Sequence, residues 1–429
     1  MISFKRKTFW EFYVNISITL VYLSSPSLII NEIATQTGIS LFTINVLIFG
    51  NIFYLFIRFY PSIRLPNSSK KLLINLLIVL LYLILIWISL YNFNLTGSGP
   101  RSFIRVIILI LFTLAVMHSK SFNISSFINH FITIAAFISL ISVIGWVGIQ
   151  LGFFHPYWEA TVGSHEMIKG FGGYYGTVQE VYSTLSGLQI RNQSYFTEPT
   201  NFAQYLSLPL FFSIWRLNNK KNLLSIFYML IILTAFLLTF SVANYFGILF
   251  AIVIYLFLRF PSKELFVKFL YLIIAALGII GTLKLYDAMN QEEYATIIAK
   301  GENAAFEERF SRNVFYFNHV LDNPLGDYSY REKNSTNPGF VGFILIAGGF
   351  PLLFLMVKML WPFYWSLLSK LIVGQYSLAY IGVFSYLPPF LWDGQVVEYY
   401  FLFHLTFFTL IMSIDKNISN KVVYNNQSA

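Results

Sequence analysis

Twelve apolar runs dominate the chain, and each is long enough, or nearly long enough, to cross the hydrocarbon core of a membrane. They occupy residues 9–30, 40–60, 71–93, 101–118, 124–153, 200–216, 222–240, 242–259, 265–283, 338–357, 371–390 and 397–414. Because backbone groups find no water inside a bilayer, such runs predict helices that satisfy their own hydrogen bonds. We therefore predict an all-α integral membrane protein with about 12 transmembrane helices in a single polytopic domain over residues 1–429.

The composition agrees with this class and excludes several kinds of chemistry. Of the 429 residues, 57% are hydrophobic and only 11% are charged. The chain has no cysteine, which excludes disulfides, thiolate metal ligands and cysteine nucleophiles. Its six histidines form no pair four residues apart with a carboxylate, so we predict no metal site and no cofactor.

The distribution of basic residues predicts the topology. If both termini are cytoplasmic, 18 of the 28 Lys and Arg residues lie inside, as the positive-inside rule requires. The net charge of +9 then belongs to cytoplasmic loops and does not indicate nucleic acid. No small-x-small cleavage site follows the basic start of the chain, so the first span is expected to be uncleaved. Arg101 and Arg105, at the outer end of the fourth span, either face an anionic ligand or extend toward headgroups.

In this topology the two large loops are both extracytoplasmic, and the other connections are short. The first covers residues 155–199 and is rich in Gly and Tyr, which suits either adaptable contacts with sugars or a simple irregular loop. The second covers residues 284–337 and contains an amphipathic helical pattern from Phe306 to Leu321.

The two faces of this amphipathic helix have different chemistry. The apolar stripe consists of Phe306, Phe310, Val314, Phe317 and Leu321. The opposite face carries Arg309, Arg312, Tyr316 and His319. Such a helix can lie along a membrane surface while its guanidinium groups bind a lipid-linked phosphate. Alternatively, the arginines pair with Glu302, Glu307 or Glu308 on an ordinary surface helix.

Short motifs end each large loop. The first loop ends with Arg191, six further residues, and then Glu198 and Pro199 ahead of the sixth span. Proline suits the first position of a helix, and Glu198 would be favoured there as a helix cap by the helix dipole. In the second loop Asn323 and Pro324 are expected to end the amphipathic helix, with a turn at Gly326. Asn337 and Pro338 begin the tenth span.

Together, these motifs, the span number, the topology and the two outer loops resemble the O-antigen polymerase and ligase superfamily. The resemblance covers most of the chain. It implies a membrane glycosyltransferase that works on undecaprenyl-diphosphate-linked glycans at the periplasmic face of the bacterial inner (plasma) membrane. Polymerases of this kind pass the growing glycan to the next lipid-linked unit in O-antigen or capsule synthesis, whereas ligases pass it to lipid A core. A chain-length regulator and a flippase are the implied protein partners.

The resemblance also implies roles for individual residues. Arg191, Arg309 and Arg312 match the loop arginines that hold the donor diphosphate. The ligases carry a histidine at the start of the tenth span, where this chain has Asn337, and asparagine cannot act as a general base. The remaining candidates for the proton acceptor are Glu198, His165 and His319. We favour Glu198 because it lies in the stronger motif.

Two alternatives to the polymerase stay open. The ligase is disfavoured by Asn337. A flippase or transporter of lipid-linked oligosaccharides can also have about 12 spans, but its loops are typically short and its function lies along a central cavity. The large polar loops with their arginines favour an enzyme that works at the membrane surface.

Overall fold

The computed structural model describes five parts of the chain. They comprise residues 50, 51 and 54; residues 124–155; the segments 158–162, 166–171, 176–183, 187–194 and 196; residues 199–259; and the segments 317–327, 348–354, 357–358, 381–382 and 384–386. The described residues are mostly helical, which confirms the main secondary structure expected from the apolar runs.

Four long helices lie where the apolar runs predict them. They are α1 (Ile124–Gln150), α2 (Pro199–Asn219), α3 (Leu223–Leu237) and α4 (Val242–Arg259). Their bounds agree with the predicted spans to within about four residues at each end. The remaining predicted spans lie wholly or largely outside the described residues.

Within the described part of the chain, one helical segment is long and apolar enough to cross a membrane. It is Ile128–Gln150 in α1, with 23 residues and a mean hydropathy of 2.3. Large apolar side chains on its outer surface are exposed, among them Phe137, Ile144 and Val147. Exposed apolar surface on such a helix is what contact with lipid requires.

The first large loop contains a β-sheet that the all-α prediction omits. Its strands β1 (Trp158–Val162), β2 (Glu166–Phe171), β3 (Gly176–Ser183) and β4 (Gly187–Ser194) form a four-stranded antiparallel meander in chain order. Of the glycines that suggested an irregular loop, Gly176 and Gly187 begin β3 and β4, and Gly170 lies near the end of β2. The register shifts once, between Thr177 and Val178 in β3.

Helix α2 lies at the centre of the described bundle. Every described side chain from Asn201 to Ser213 is buried, so this helix has no exposed face over more than three turns. Phe131 of α1 contacts it through edge-on ring pairs with Tyr205 at 5.8 Å and Phe212 at 6.2 Å. Pro209 interrupts the hydrogen-bond ladder of α2, because it has no N–H to donate.

The predicted break near residues 241–244 is confirmed as the boundary between α3 and α4. Phe240 has a φ of 48°, a left-handed conformation that reverses the chain there. Asn244 in the first turn of α4 donates from Nδ2 to Ser241 Oγ at 2.8 Å and to the Thr200 carbonyl at 3.2 Å. These bonds hold the start of α4 against the start of α2.

Candidate active site

The end of the second large loop forms a helical turn followed by a reversal. Residues 317–322 are helical, and the helix ends before Asn323 and Pro324, as the sequence predicts. The backbone N–H of Asn323 donates to the His319 carbonyl at 3.0 Å, and its Nδ2 donates to the same oxygen at 3.2 Å. Gly326 makes the turn with a φ of 92°. The reversal brings Asp327 back toward the helix.

His319 and Asp327 form a side-chain contact within this segment. Nε2 of His319 lies 3.0 Å from Oδ2 of Asp327. The side chains are 19% and 26% exposed, so the pair is partly shielded and still open to solvent. A carboxylate that accepts a hydrogen bond from one ring nitrogen makes the other nitrogen the basic one. This geometry suits a general base.

The turn is fixed against the chain that follows the second loop. Phe350 donates its backbone N–H to the carbonyl of Pro324 at 3.0 Å. Gly349 has a φ of 60°, and a Cβ built on it would lie 2.0 Å from that same carbonyl oxygen. Because only glycine allows this approach, the Pro324 turn and the Gly349 backbone are closely packed.

The loop helix uses a different buried face from the one the sequence suggests. Val320 is fully buried, whereas Phe317 and Leu321, members of the predicted apolar stripe, are 50% and 57% exposed. Phe317 still contacts the ring of Phe350 at 6.4 Å. The rest of the predicted stripe lies outside the described residues. Exposed apolar side chains such as Phe317 and Leu321 are suited to a membrane surface.

Arg191 lies in β4 and binds backbone carbonyl groups just past the end of α3. Its Nε donates to the Thr239 carbonyl at 3.1 Å, and one terminal nitrogen donates to the Phe240 carbonyl at 3.3 Å. The residue is 9% exposed. A guanidinium at the C-terminal end of a helix is favoured by the helix dipole. The proposed contact of Arg191 with a diphosphate stays a prediction.

Asn192, next to Arg191, also joins the sheet to the helices. Its backbone N–H donates to the Leu238 carbonyl at 2.9 Å, and its Nδ2 donates to Ser142 Oγ of α1. Asn192 is almost fully buried. The last strand of the sheet is therefore attached to two helices, which fixes the chain just ahead of Glu198 and Pro199 in sequence.

Several buried oxygen atoms near the start of α2 have no hydrogen-bond partner among the described residues. They are Gln193 Oε1, Gln204 Oε1, Tyr205 OH and Asn244 Oδ1. Phe196 connects part of this group, since Gln193 Nε2 donates to its carbonyl at 3.0 Å and its ring contacts that of Tyr205 at 5.4 Å. A buried oxygen without a hydrogen-bond donor destabilises a fold, because burial removes its hydrogen bonds to water and nothing replaces them.

Most of the predicted site residues fall outside the described part of the chain. These are Glu198, His165, Arg309, Arg312, Tyr316 and Asn337. Of the two that are described, His319 is paired with Asp327 and Arg191 with backbone carbonyls. In the described ranges, no three His, Asp or Glu side chains lie close enough to hold a metal ion.

Sequence reasoning missed Asp327 as a site residue. Its signal was the spacing: Asp327 follows His319 by eight residues, with Asn323, Pro324 and Gly326 between them. A helix end and a tight turn in that interval return the chain toward the histidine.

No family model matches the chain, and no curated protein matches it. The function of the protein is therefore inferred from its site residues and their geometry.

Proposed function

We propose that the chain is a metal-independent membrane glycosyltransferase that polymerises oligosaccharide repeat units linked to undecaprenyl diphosphate. It acts at the outer face of the bacterial plasma membrane, and its product belongs to an O-antigen or capsule-type surface polysaccharide. The observation that carries the proposal is the contact between His319 and Asp327 at 3.0 Å, in the polar loop where the sequence locates the arginines. That contact supplies a base for the acceptor hydroxyl in the same loop of the sequence as arginines suited to a diphosphate.

The reaction needs two kinds of group, and the second large loop carries both. The acceptor sugar must lose a hydroxyl proton, and a partly exposed imidazole such as that of His319 can accept it. The leaving lipid diphosphate must have its charge stabilised without a metal, which Arg309 and Arg312 can do through forked hydrogen bonds. In the predicted helix Arg312 precedes His319 by about two turns and Arg309 by about three.

A membrane location supports this assignment. Helix α1 carries an apolar segment of 23 residues, and the polar loops that hold the proposed chemistry lie between such segments. The lipid carrier keeps the donor at the bilayer, so an enzyme acting on it must present polar groups at that surface. The sheet of β1–β4 supplies a folded polar body that Asn192 joins to α1 through Ser142 and to the end of α3 through Leu238.

The ligase stays the nearest alternative, and a flippase is the alternative from another class. Asn337 replaces the ligase histidine and leaves no base at that position. A flippase needs only short connections between spans, whereas the first loop of this chain folds into a sheet that is hydrogen-bonded to two helices. These features favour a transferase over a transporter.

The surface glycan of a strain without this protein distinguishes the three functions. A polymerase deletion leaves glycans with one repeat unit on their final acceptor, and wild-type protein restores the long chains. Full-length chains retained on the undecaprenyl carrier would identify a ligase instead. Repeat units retained on the cytoplasmic face would identify a flippase. The His319→Ala protein, expressed at the wild-type level, should fail to restore long chains.

A further inference from the structure

We propose that Asp327 is a positioning residue that fixes the tautomer and ring orientation of His319 for proton transfer from the acceptor hydroxyl. This inference rests on the proposed function for its catalytic part. Its structural part, the tautomer of His319, holds or fails independently. Asp327 itself does not touch the substrate in this proposal and acts only through the imidazole.

The contact between the His319 ring and the Asp327 carboxylate sets the tautomer of the histidine. Oδ2 of Asp327 lies 3.0 Å from Nε2 of His319, which is hydrogen-bond distance. An ionised carboxylate can only accept, so the proton of a neutral imidazole resides on Nε2. Nδ1 is then the nitrogen with the basic lone pair. Without the carboxylate, neither the tautomer nor the ring angle would be set by this contact.

The backbone around Asp327 is built to hold this position. Gly326 turns the chain with a φ of 92°, and its N–H donates to the Asn323 carbonyl at 2.9 Å. Two residues earlier, the Pro324 carbonyl accepts a hydrogen bond from Phe350 at 3.0 Å. The aspartate is therefore presented by a turn that is fixed at both the helix and the following span. Asp322, only five residues away, is exposed on the helix and lacks this presentation.

Stability alone gives little reason for such a contact. Ion pairs between partly exposed side chains add little to folding, since water and salt screen them. Orientation of a base is a different effect, because a wrong tautomer removes the acceptor lone pair from the reaction altogether. The strength of the contact therefore matters less than the nitrogen it leaves basic.

The proposed reaction forms one bond, breaks one bond and moves one proton. The acceptor hydroxyl oxygen forms a bond to the anomeric carbon of the donor glycan, and the bond from that carbon to the diphosphate oxygen breaks. The diphosphate, still attached to its lipid carrier, leaves with the electron pair of the broken bond. The hydroxyl proton passes to Nδ1 of His319, and the resulting imidazolium, held by Asp327, later releases it to water.

Three variants of the full-length protein in detergent or nanodiscs test the inference. Asp327→Asn removes the charge at nearly constant size, Asp327→Glu restores it, and Asp322→Asn is the charge-matched control on the same segment. The spectroscopic readout is the ¹⁵N chemical shift of the His319 ring, identified by its loss in His319→Gln. The kinetic readout is the initial rate with a defined lipid-linked repeat unit.

The expected result combines both readouts. Asp327→Asn should shift His319 away from the Nε2–H tautomer and lower the rate by roughly 10²- to 10⁴-fold. Asp327→Glu should recover part of both, and Asp322→Asn should match wild type. An unchanged tautomer in Asp327→Asn overturns the proposal, as does a changed tautomer with a wild-type rate. If wild-type protein makes no polymer, the proposed function fails, while the chemical shifts still decide whether Asp327 orients His319.

Discussion

Arg191 donates a hydrogen bond from Nε to the carbonyl oxygen of Thr239 at 3.1 Å, which ties the last strand of the sheet to the end of α3. A second bond, to the Phe240 carbonyl, uses another nitrogen of the same guanidinium. The two acceptors lie in the short reversal between α3 and α4. One arginine therefore stabilises both the attachment of the sheet and the turn between two helices.

Replacing Arg191 should reduce stability more than an ordinary surface substitution. Arg191→Ala removes two charged hydrogen bonds, one to a buried and one to a partly buried carbonyl group, and hydrogen bonds to charged groups contribute about 1.5–3 kcal/mol each. Arg191→Lys supplies charge without the forked donors and should recover only part of the loss. The measurement is the thermal unfolding midpoint in detergent.

The same variants separate two roles for Arg191. If the residue serves only as the structural link, the folded fraction of Arg191→Lys should polymerise at the wild-type rate. If it also holds the donor diphosphate, turnover per folded molecule should fall as well. An unchanged unfolding midpoint in Arg191→Ala would contradict the structural role described for it.

Gly349 offers a steric test of how the second loop is held. Alanine at this position would need a φ of 60° and would place Cβ 2.0 Å from the Pro324 carbonyl oxygen. Gly152 is the matched control, because it has a φ of 72° with no atom within 4 Å of its would-be Cβ. Both alanine variants carry the left-handed strain, so the difference between them isolates the clash.

We expect Gly349→Ala to destabilise the protein by about 1–3 kcal/mol more than Gly152→Ala, which is the usual range for overpacking. Unfolding by heat or denaturant, followed by tryptophan fluorescence, measures the difference. Gly349→Ala should also disturb the His319–Asp327 pair, since Pro324 lies in the turn between those two residues. Equal stabilities of the two variants would mean that the Pro324 turn is not packed against Gly349.

The helices were predictable because each rests on a local property of the sequence. Apolar length alone predicted α1 to α4, and the polar residues around Ser241 predicted the reversal between α3 and α4. The sheet was not predicted, because β1 to β4 are short and rich in polar residues, and their glycines look the same in a turn and in an irregular loop. Whether such strands form also depends on their packing against cross-strand neighbours and helices, which a linear pattern does not contain.

The candidate site was predictable only in part for a similar reason. His319 could be chosen from its position on a helix face, which is a local property. Its contact with Asp327 depends on the turn at Gly326, and the role of Arg191 depends on where α3 ends. The pattern of apolar residues did not reveal that Val320 would be buried while Phe317 stays half exposed, since that depends on the neighbouring chain at Phe350.

The buried side chain of Gln204 gives a prediction about stability. Gln204 is only 3% exposed, and its Oε1 has no hydrogen-bond partner in the described part of the chain. Gln204→Met keeps the volume and removes the buried polar group, so the protein should gain about 1–3 kcal/mol. Ser207→Ala is the control, because Ser207 Oγ already donates to the Ala203 carbonyl at 2.9 Å. A destabilised Gln204→Met protein would show that the oxygen has a donor.

The topology predicts which inserted cysteines an impermeant thiol reagent can reach. Single cysteines at Ser164 and Ser335, in the two large loops, should react in intact spheroplasts. A cysteine at Asn218, exposed at the end of α2, should react only after the membrane is permeabilised. The absence of native cysteine gives a wild-type background without labelling. Reaction at Asn218 alone would invert the topology and place the proposed site on the cytoplasmic side.

The last prediction concerns which residue, Glu198 or His319, is the general base. The sequence motif favours Glu198, whereas the described geometry gives His319 a carboxylate partner at 3.0 Å. If His319 accepts the proton, His319→Ala should lower turnover by roughly 10²- to 10⁴-fold and leave donor binding intact. If Glu198 does so, Glu198→Gln should be the severe variant and His319→Ala mild. If Glu198 only caps α2, glutamine should cost a little stability and almost no activity. Near-wild-type rates in both variants would mean that water or the departing diphosphate accepts the proton.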